Sequence, residues 1–308
     1  WDGAYVGTGS SLPTAWVSGR SIVNHFDDMG QAHINYVDIY GVPGDVPAPM
    51  QVKATENEAH TNFWMGARMA GRQQDGSIFL EGEAFGSLAP GVVAASYSNG
   101  TLGTRASPAS TPATADISPY SIATPPQGVF RVLARASMSG VDGWLGMGYS
   151  YGSITVTPAT TSDFVALTGN LNIVDVGILT IPPVQTPIGG TIGTLTLRMA
   201  SYASATGTRE LQVDWVMLLP IDQGMLYINK TSAANVVMAD SRSIPQAGYL
   251  LNTSNVLQAI PANQVGSPPE AHPQGARLYF VASEATVSTI IDGWTVAIVY
   301  QPKYLHVA

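Results

Sequence analysis

The chain contains no cysteine and carries little charge. Lysine occurs only at Lys53, Lys230 and Lys303, and charged residues make up 11% of the 308 positions. The absence of cysteine excludes a disulfide framework and a thiolate metal site. With a net charge of −8, the chain offers no cationic surface that would release counterions from a polyanion, so nucleic-acid binding is disfavoured.

Long apolar runs are also absent. No stretch approaches the roughly 18 uninterrupted apolar residues of a membrane helix, and no basic segment precedes an apolar one as in a signal peptide. Membrane insertion is therefore not expected. Because Trp1 is not an initiator residue, we expect that the chain is processed or that an upstream domain precedes it.

Turn-forming residues and strand-like runs are plentiful. The chain has 32 glycines and 21 prolines, and helical periodicity is nearly absent. Gly128–Met138, for example, places Val129 and Arg131 on one face and Phe130 and Val132 on the other. Many such runs with no helix between them predict an all-β protein with two antiparallel β-sandwich or jelly-roll domains.

The order of these runs predicts that one sandwich is inserted into the other. Residues 127–222 supply several strand-like runs and are predicted to form the inserted jelly roll. The flanks, 36–93 and 223–308, each supply about four strands, too few for a covered sandwich, so we expect them to pair with each other. Residues 94–126, rich in Ser, Thr and Pro, are predicted to be an extended linker. Residues 1–35 are an N-terminal arm or the end of an upstream domain.

One strand changes character along its length. In Glu210–Asp222, apolar and polar residues alternate up to Trp215, and every residue from there to Leu219 is apolar. We predict that the neighbouring domain covers the second face of this strand at Val216 and Leu218. The alternative is an inner strand whose two faces are both covered within one sandwich.

Candidate catalytic residues are few. Gly148–Gly152 matches the G-x-S-x-G pattern with Ser150 at its centre, but that motif needs a helix after the turn and a strand-like run follows here. Glu81 and Glu83 are expected on one wet strand face. A glycosidase using Glu81, Glu83 or Asp163 is the least favoured of three hypotheses. We predict no catalytic residues, no cofactor and no enzyme activity.

A metal site is not predicted either. His25, Asp27, Asp28 and His33 offer ligands within nine residues, yet they lack the spacing of a calcium loop or of an HExxH helix. A surface loop is the default interpretation of this segment.

Glycan contact is predicted at Tyr149 and Tyr151. These tyrosines are two residues apart and therefore share one strand face. Aromatic rings with an apolar body and a polar tip suit sugar binding when they are exposed. We expect this pair to be exposed, while most tryptophans, which fall at strand positions, are expected in the core.

Three stretches resemble structural proteins of siphophage tails and baseplates. Asn35–Ala54 (NYVDIYGVPGDVPAPMQVKA) resembles the Gly/Pro/Ala-rich turn that leads into the galectin-like sandwich of the distal tail family. Pro273–Glu284 and Trp294–Leu305 resemble the closing strands of that domain. Gly128–Gly140 and Leu211–Asp222 are similar to the carbohydrate-module-like jelly rolls that tail proteins carry.

The resemblance implies a virion structural protein of the tail or baseplate, with 36–93 and 223–308 forming a galectin-like sandwich. The implied partners are other copies of the chain, other virion proteins and a host-surface glycan, and the implied location is the virion. A carbohydrate-binding module and a capsid decoration protein are the alternatives. In a virion we expect an N-terminal arm, anchored by Ile22, Val23 and Phe26, to lie on a neighbouring subunit.

Overall fold

The computed structural model is built from antiparallel β-strands. In the part of the chain that it describes, the other elements are three short 3-10 turns, Gly82–Ala84, Pro112–Thr114 and Thr161–Asp163. The predicted all-β class is therefore confirmed. None of the described helices is long and apolar enough to span a membrane. The described residues are 5–6, 23–26, 32–39, 44–69, 79–92, 101–106, 108–123, 125–182, 193–204, 209–242, 247–251, 257–258, 263–282 and 295–300.

The chain divides into two compact units. One comprises Trp1–Arg72 together with Pro220–Ala308, and the other, Gln73–Leu219, is inserted between these segments. The inserted unit begins earlier in the chain than the predicted boundary at 127. It therefore takes in residues that the sequence assigns to the outer sandwich and to the linker.

The described residues of the discontinuous unit form one ten-stranded sheet. The first half of β4 (Met50–Met69) pairs with β21 (Thr295–Tyr300) and its second half with β20 (Ala276–Ala282). The long strand β16 (Met225–Asp240) pairs with β4 at both ends. The N-terminal and C-terminal segments therefore share a sheet. Numbered in chain order, the strands are β1 (Tyr5–Val6), β2 (Val23–Phe26), β3 (Ala32–Ile39), β4 (Met50–Met69), β16 (Met225–Asp240), β17 (Ala247–Leu251), β18 (Leu257–Gln258), β19 (Asn263–Ser267), β20 (Ala276–Ala282) and β21 (Thr295–Tyr300).

The long strands β4 and β16 both change phase midway. Core positions in β4 are even-numbered near its start, as at Val52, and odd-numbered near its end, as at Met65; β16 shows the same slip between Ile228 and Val237. A slip of one residue turns every later side chain to the opposite face. Because the slips are matched, both halves face one core. Its members are Ile39, Ala48, Met50, Val52, Ala54, Phe63, Met65, Ala67, Leu226, Ile228, Val237, Ala239, Ala271, Leu278, Phe280, Ile298 and Tyr300.

The inserted unit contains two sheets. Its strands are β5 (Phe79–Glu81), β6 (Ala89–Val92), β7 (Thr101–Ala106), β8 (Asp116–Ile122), β9 (Gly128–Ser139), β10 (Gly143–Tyr151), β11 (Ile154–Val156), β12 (Val165–Leu167), β13 (Asn172–Ile181), β14 (Leu195–Ala203) and β15 (Glu210–Pro220). The six-stranded sheet has the order β13-β9-β15-β7-β6, with β5 also beside β15. The five-stranded sheet has the order β11-β10-β14-β8, with β12 also beside β10.

Strand periodicity supplies the core of this unit. In β9 the even-numbered side chains, among them Phe130 and Val132, are apolar and buried. In β14 the buried apolar positions include Leu195, Leu197 and Met199. Each sheet thus contributes one apolar face to a sandwich, in agreement with the predicted fold class.

The segment predicted as a linker, 94–126, contains two of these strands. β7 pairs with β15 and β8 with β14. The Asp116 carboxylate holds the connection, because it accepts hydrogen bonds from the Arg105 guanidinium at 2.6 Å and from the Ala109 N–H at 2.7 Å. Pro119 fits in β8 because β8 is an edge strand, where a missing N–H interrupts no ladder. Larger neighbouring strands supply the apolar surface that this segment lacks.

The N-terminal arm is described only in part. β2, which includes Val23 and Phe26, pairs with β3 of the same chain, so this piece of the arm extends its own sheet. Ile22 lies outside the described residues. The contact of the arm with a neighbouring subunit remains a prediction.

Candidate functional site

Ser150, at the centre of the G-x-S-x-G match, lies in β10 and pairs with Thr155 in β11. The turn between these strands contains Gly152, which has a φ of 58°. A nucleophile elbow requires a strand, a turn and then a helix that lifts the serine above the sheet. Here a second strand follows, so the geometry does not present Ser150 as a nucleophile.

Glu81 and Glu83 do not share a strand face, so that prediction is wrong. Glu81 ends β5, which pairs with β15 of the inserted unit, whereas Glu83 lies in the following 3-10 turn. The strand that was expected to continue through both residues stops after the first of them. The alternation that would align the two carboxylates is therefore lost.

Asp163 caps a 3-10 turn. Its carboxylate accepts hydrogen bonds from the N–H and hydroxyl of Thr160, both at 2.8 Å, and from the N–H of Ala159 at 3.0 Å. The backbone bonds from Thr160 and Ala159 lower the pKa of Asp163. The cap holds the segment before β12 over the sheet, since a Cβ added to Gly146 would lie 2.7 Å from the Asp163 carbonyl oxygen. This carboxylate therefore has a structural role.

No metal centre is found where the structure can be described. Within that part of the chain, no three His, Asp or Glu side chains come together in a way that could hold an ion. Of the candidate ligands, His25 and His33 lie in the neighbouring strands β2 and β3. Asp27 and Asp28 lie outside the described residues.

Tyr149 and Tyr151 share a face of β10, but that face is the inner one. Their cross-strand partners in β14, Leu197 and Leu195, are fully buried, and Tyr149 itself is only 8% exposed. Tyr151, at the end of the strand, is partly exposed. The prediction of an exposed pair is wrong for Tyr149, because periodicity shows which residues share a face and not which face a second sheet covers. A glycan contact at these residues remains a prediction.

Val216 and Leu218 are fully buried in β15, and so is the rest of the apolar run from Trp215 to Leu219. This part of the strand is therefore covered on both faces, as the uninterrupted apolar run predicts. Burial agrees with both of the alternatives that the sequence leaves open. Contact of Val216 and Leu218 with the other unit remains a prediction.

An aromatic cluster lies on the outer face of the five-stranded sheet. Trp144 in β10 stacks on Tyr202 in β14, with ring centroids 4.8 Å apart and planes at 7°. Phe164 meets Tyr202 edge-on, at a centroid distance of 4.9 Å. Tyr202 is buried, which raises the pKa of its hydroxyl, whereas Trp144 is partly exposed. The cluster therefore forms a rigid base under a half-exposed indole ring, an arrangement suited to stacking.

Among the described residues of the inserted unit, the exposed large apolar side chains lie on two edge strands. Ile154 and Val156 in β11 are 47% and 46% exposed, and Ile178 in β13 is 62% exposed. Since β13 also lies against β10 and β12, the two edges border the same side of the sandwich. β11 carries no charge, and the one charged residue of β13, Asp175, is paired with Arg131. We call Ile154, Val156 and Ile178 the edge patch.

Two ion pairs lie on the outer face of the six-stranded sheet. Arg131 in β9 donates to Asp175 at 2.6 Å, and Asp175 also accepts the N–H of Gly177 at a bulge in β13. Arg135 donates to Asp214 in β15, and both side chains are buried. The sequence places both arginines on one face, but their partners come from distant strands. Because each charge is compensated, we interpret both ion pairs as part of the fold and not of a functional site.

Sequence reasoning missed the exposure of Trp144 and the edge patch. Trp144 lies in a strand, where a tryptophan is expected to be buried. The structure shows that it is partly exposed and lies on the face of β10 opposite to the buried Leu145 and Tyr149. The sequence of Ile154–Val156 does not identify it as an edge strand, since edge strands often carry charge and this one has none. Only the pairing of the strands shows that it lies at an edge of the sheet.

No family model and no curated protein matches the chain. Among solved structures, a carbohydrate-binding module, CBM36 in complex with calcium and xylotriose, is 18% identical, with 45% of this chain and 96% of that chain covered and a TM-score of 0.24. The tandem CBM22 domains of Paenibacillus barcinonensis Xyn10C are 9% identical, with 80% and 98% covered and a TM-score of 0.30.

A viral protein is also similar in part. The VP2 subviral particle of infectious bursal disease virus is 9% identical, with 97% of this chain and 78% of that chain covered and a TM-score of 0.23. The structural neighbours therefore include carbohydrate-binding modules and a viral capsid protein. At such low identities and TM-scores, these likenesses carry no argument about this chain.

Proposed function

We propose that the chain is a structural protein of a tailed-phage virion, in the tail or baseplate, and that it acts through contacts between subunits. The observation that carries the assembly part is the edge patch, Ile154, Val156 and Ile178. An edge strand offers unpaired N–H and C=O groups to another chain, and burial of exposed apolar side chains favours association. The assignment to a phage tail draws on the resemblance of Asn35–Ala54 to distal tail proteins.

The two strands that carry the edge patch, β11 and β13, have no uncompensated charge, which suits contact between like subunits. Copies with a net charge of −8 repel each other, so a contact between them is least costly where neither surface carries uncompensated charge. The edge patch meets this condition, because Asp175 is neutralised by Arg131.

The assembly proposal is tested by measuring the mass of the purified full chain with multi-angle light scattering. We expect a concentration-dependent oligomer that Ile178→Lys converts to smaller species without lowering the melting temperature, because a lysine desolvated in the contact is unfavourable. Ala113→Lys is the matched control, since it adds the same charge at an exposed residue outside the edge patch. A wild-type chain that stays monomeric at high concentration would overturn the proposal.

The virion assignment is tested on purified phage particles. We expect mass spectrometry to detect the chain in the particle and antibody-labelled electron microscopy to place it on the tail. Label on the head would favour the alternative of a capsid decoration protein. Particles without the chain would refute a structural role in the virion.

Glycan binding is the second candidate function, and the half-exposed Trp144 favours it. Its indole is held by Tyr202 on one side, and rigid exposed aromatic rings bind the apolar faces of ligands at little entropic cost. This function is compatible with a virion protein that contacts a host surface. A glycan array with no bound sugar would remove it.

A further inference from the structure

The surroundings of Trp144 are built by two strand ladders. In β10, Trp144 lies opposite Tyr202 of β14 on one side and opposite Ala166 of β12 on the other. Tyr202 covers one side of the indole by stacking. Ala166 is exposed and presents only a methyl group, so it covers little of the indole on the other side. Trp144 is partly exposed for this reason.

A row of polar residues lies next to this ring. Asp142 precedes Trp144 by two residues. Gly143 pairs with Leu167 on one side and with Ala203 on the other. If this register is continued by one residue, Asp142 lies between Thr168 and Ser204. The Ser204 N–H donates to the Asp142 carbonyl at 3.1 Å, as this register requires. Asp142, Thr168 and Ser204 lie immediately beyond the ends of β10, β12 and β14, so the polar row borders the row that contains Trp144.

The polar row has unused hydrogen-bonding capacity. Asp142, Thr168 and Ser204 are all exposed. The Thr168 hydroxyl is engaged, because it donates to the Asn170 carbonyl at 2.8 Å and accepts from the Asn172 amide at 2.8 Å. Within the described part of the chain, neither the Asp142 carboxylate nor the Ser204 hydroxyl makes a side-chain hydrogen bond. These two groups can therefore serve a ligand at little cost to the fold.

We propose that Trp144, Asp142 and Ser204 form a binding site for a neutral oligosaccharide. The proposal rests on the second candidate function, glycan binding, and not on assembly. Residues two apart along a strand lie roughly 7 Å apart, so a sugar ring stacked on the indole can reach the polar row. A carboxylate only accepts hydrogen bonds and a serine hydroxyl also donates, which matches a set of sugar hydroxyls.

The charge of the site selects the ligand. The six residues of the two rows are Asp142, Trp144, Ala166, Thr168, Tyr202 and Ser204. Asp142 is the one acidic residue among them, and none of them is basic. The chain as a whole is negative, at −8. An acidic sugar would place like charges together without compensation, so the site favours uncharged sugars over uronic or sialic acids.

The test follows the indole N–H signal of Trp144 in nitrogen-15 correlation spectra of the full chain, with the signal assigned by Trp144→Phe. Cellotetraose, xylotetraose, isomaltotetraose and a tetragalacturonate are titrated separately. We expect at least one neutral tetrasaccharide to shift the signal saturably, and the tetragalacturonate to leave it unchanged.

Two variants separate the polar row from the ring. Asp142→Ala is expected to weaken binding about tenfold, the usual effect of a lost hydrogen bond to a charged group, with an unchanged melting temperature because the residue is exposed. Ala166→Phe is expected to weaken it also, because the added ring competes for the indole face while the Trp144 stack is kept. Ser153→Ala, at an exposed serine in the turn at the other end of β10, is the control variant and should leave binding unchanged.

The outcomes distinguish the site from the function. Saturable binding that shifts signals other than the Trp144 indole N–H, with an affinity unchanged by Asp142→Ala, would overturn this site. Glycan binding as a function of the chain would then still hold. Stronger binding of tetragalacturonate than of the neutral sugars would overturn the ligand class. Absence of binding to every sugar, here and on a glycan array, would overturn the site and the second candidate function together.

Discussion

At the scale of single residues, burial separates two ion pairs that the sequence treats alike. Arg131 and Arg135 lie four residues apart on one face of β9. The side chains of Arg131 and Asp175 are 24% and 21% exposed, and those of Arg135 and Asp214 are 4% and 7% exposed. Water screens the first pair and is nearly excluded from the second. The same substitution should therefore have different costs at the two sites.

Replacement of each arginine by methionine tests this difference. Arg135→Met should lower the free energy of unfolding by about 3 kcal/mol, because it leaves the Asp214 carboxylate buried without its partner. Arg131→Met should lower it by at most about 1 kcal/mol, as at an exposed pair. Urea denaturation measures both. The double variant Arg135→Met with Asp214→Leu should recover part of the loss, and equal costs at the two arginines would contradict the burial argument.

A second residue-scale prediction concerns Ser87, which has a φ of 74°. A side chain in this left-handed region clashes with the following carbonyl oxygen, whereas glycine does not. Ser87→Gly relieves this strain but also gives the unfolded chain more conformational freedom, which favours unfolding. The net effect should be a stabilisation of about 0.5 kcal/mol. Thermal unfolding measures the change. Ser121→Gly, at an exposed position of extended strand β8, should instead destabilise, and a gain at both positions would refute the argument.

At the scale of elements, caps and edges decide how loops lie on the sheets. The capped 3-10 turn Thr161–Asp163 covers Gly146 of β10, where an added Cβ would lie 2.7 Å from the Asp163 carbonyl oxygen. Asp116 similarly joins β7 to β8 by accepting from Arg105 and Ala109. In both cases a single carboxylate satisfies backbone N–H groups that have no strand partner.

The cap at Asp163 makes a prediction for pH. Hydrogen bonds from Thr160 and Ala159 lower the pKa of Asp163 in the folded chain below 3.8. A carboxyl group with a depressed folded pKa stabilises the fold above its unfolded pKa, and this contribution disappears as the pH falls through the folded pKa. Asp163→Ala should therefore be less stable than wild type at neutral pH and equally stable below the folded pKa.

Urea denaturation of both proteins over the acid range provides the measurement. Thr196→Ala, which lies on β14 away from the cap, is the control and should show a difference independent of pH. A stability difference between Asp163→Ala and wild type that persists unchanged into acid would show that the cap does not act through the charge of Asp163.

At the scale of the whole molecule, each unit has an apolar core of its own. Gln73–Leu219 closes two sheets around residues such as Phe130 and Leu197. The other unit gathers its core from both ends of the chain, as Val52 and Leu278 show. Separate cores predict that the inserted unit folds when it is excised.

The excised segment Gln73–Leu219 should unfold in one cooperative transition, measured by circular dichroism during urea denaturation. If the other unit covers Val216 and Leu218 in the full chain, as the sequence predicts, the excised segment should also bind the dye ANS more strongly than the intact protein. The variant with Val216→Ser and Leu218→Ser should abolish that excess. Equal dye binding by segment and intact protein would favour cover from within the sandwich.

The all-β class was predictable because alternation in runs such as Gly128–Met138 is local. The run from Trp215 to Leu219 likewise predicted a strand buried on both faces, and its side chains are buried. Membership of a sheet is not local, so Ser/Thr/Pro-rich segments such as Asp116–Ile122 looked like linker and are strands. The exposed aromatic residues of β10 were mispredicted for the same reason. Tyr149 faces inward, and Trp144 faces outward.

The sequence alone determined that this chain carries little charge and forms antiparallel strands. Residue alternation and turn residues fix the local conformation within a few positions, so they can be recognised without the tertiary structure. The tertiary structure decided which strands become neighbours, which face of β10 is covered, and which edge keeps Ile154, Val156 and Ile178 exposed. The physical reason is that strand pairing joins residues far apart in the chain. A face is inside or outside only once a second sheet lies against it.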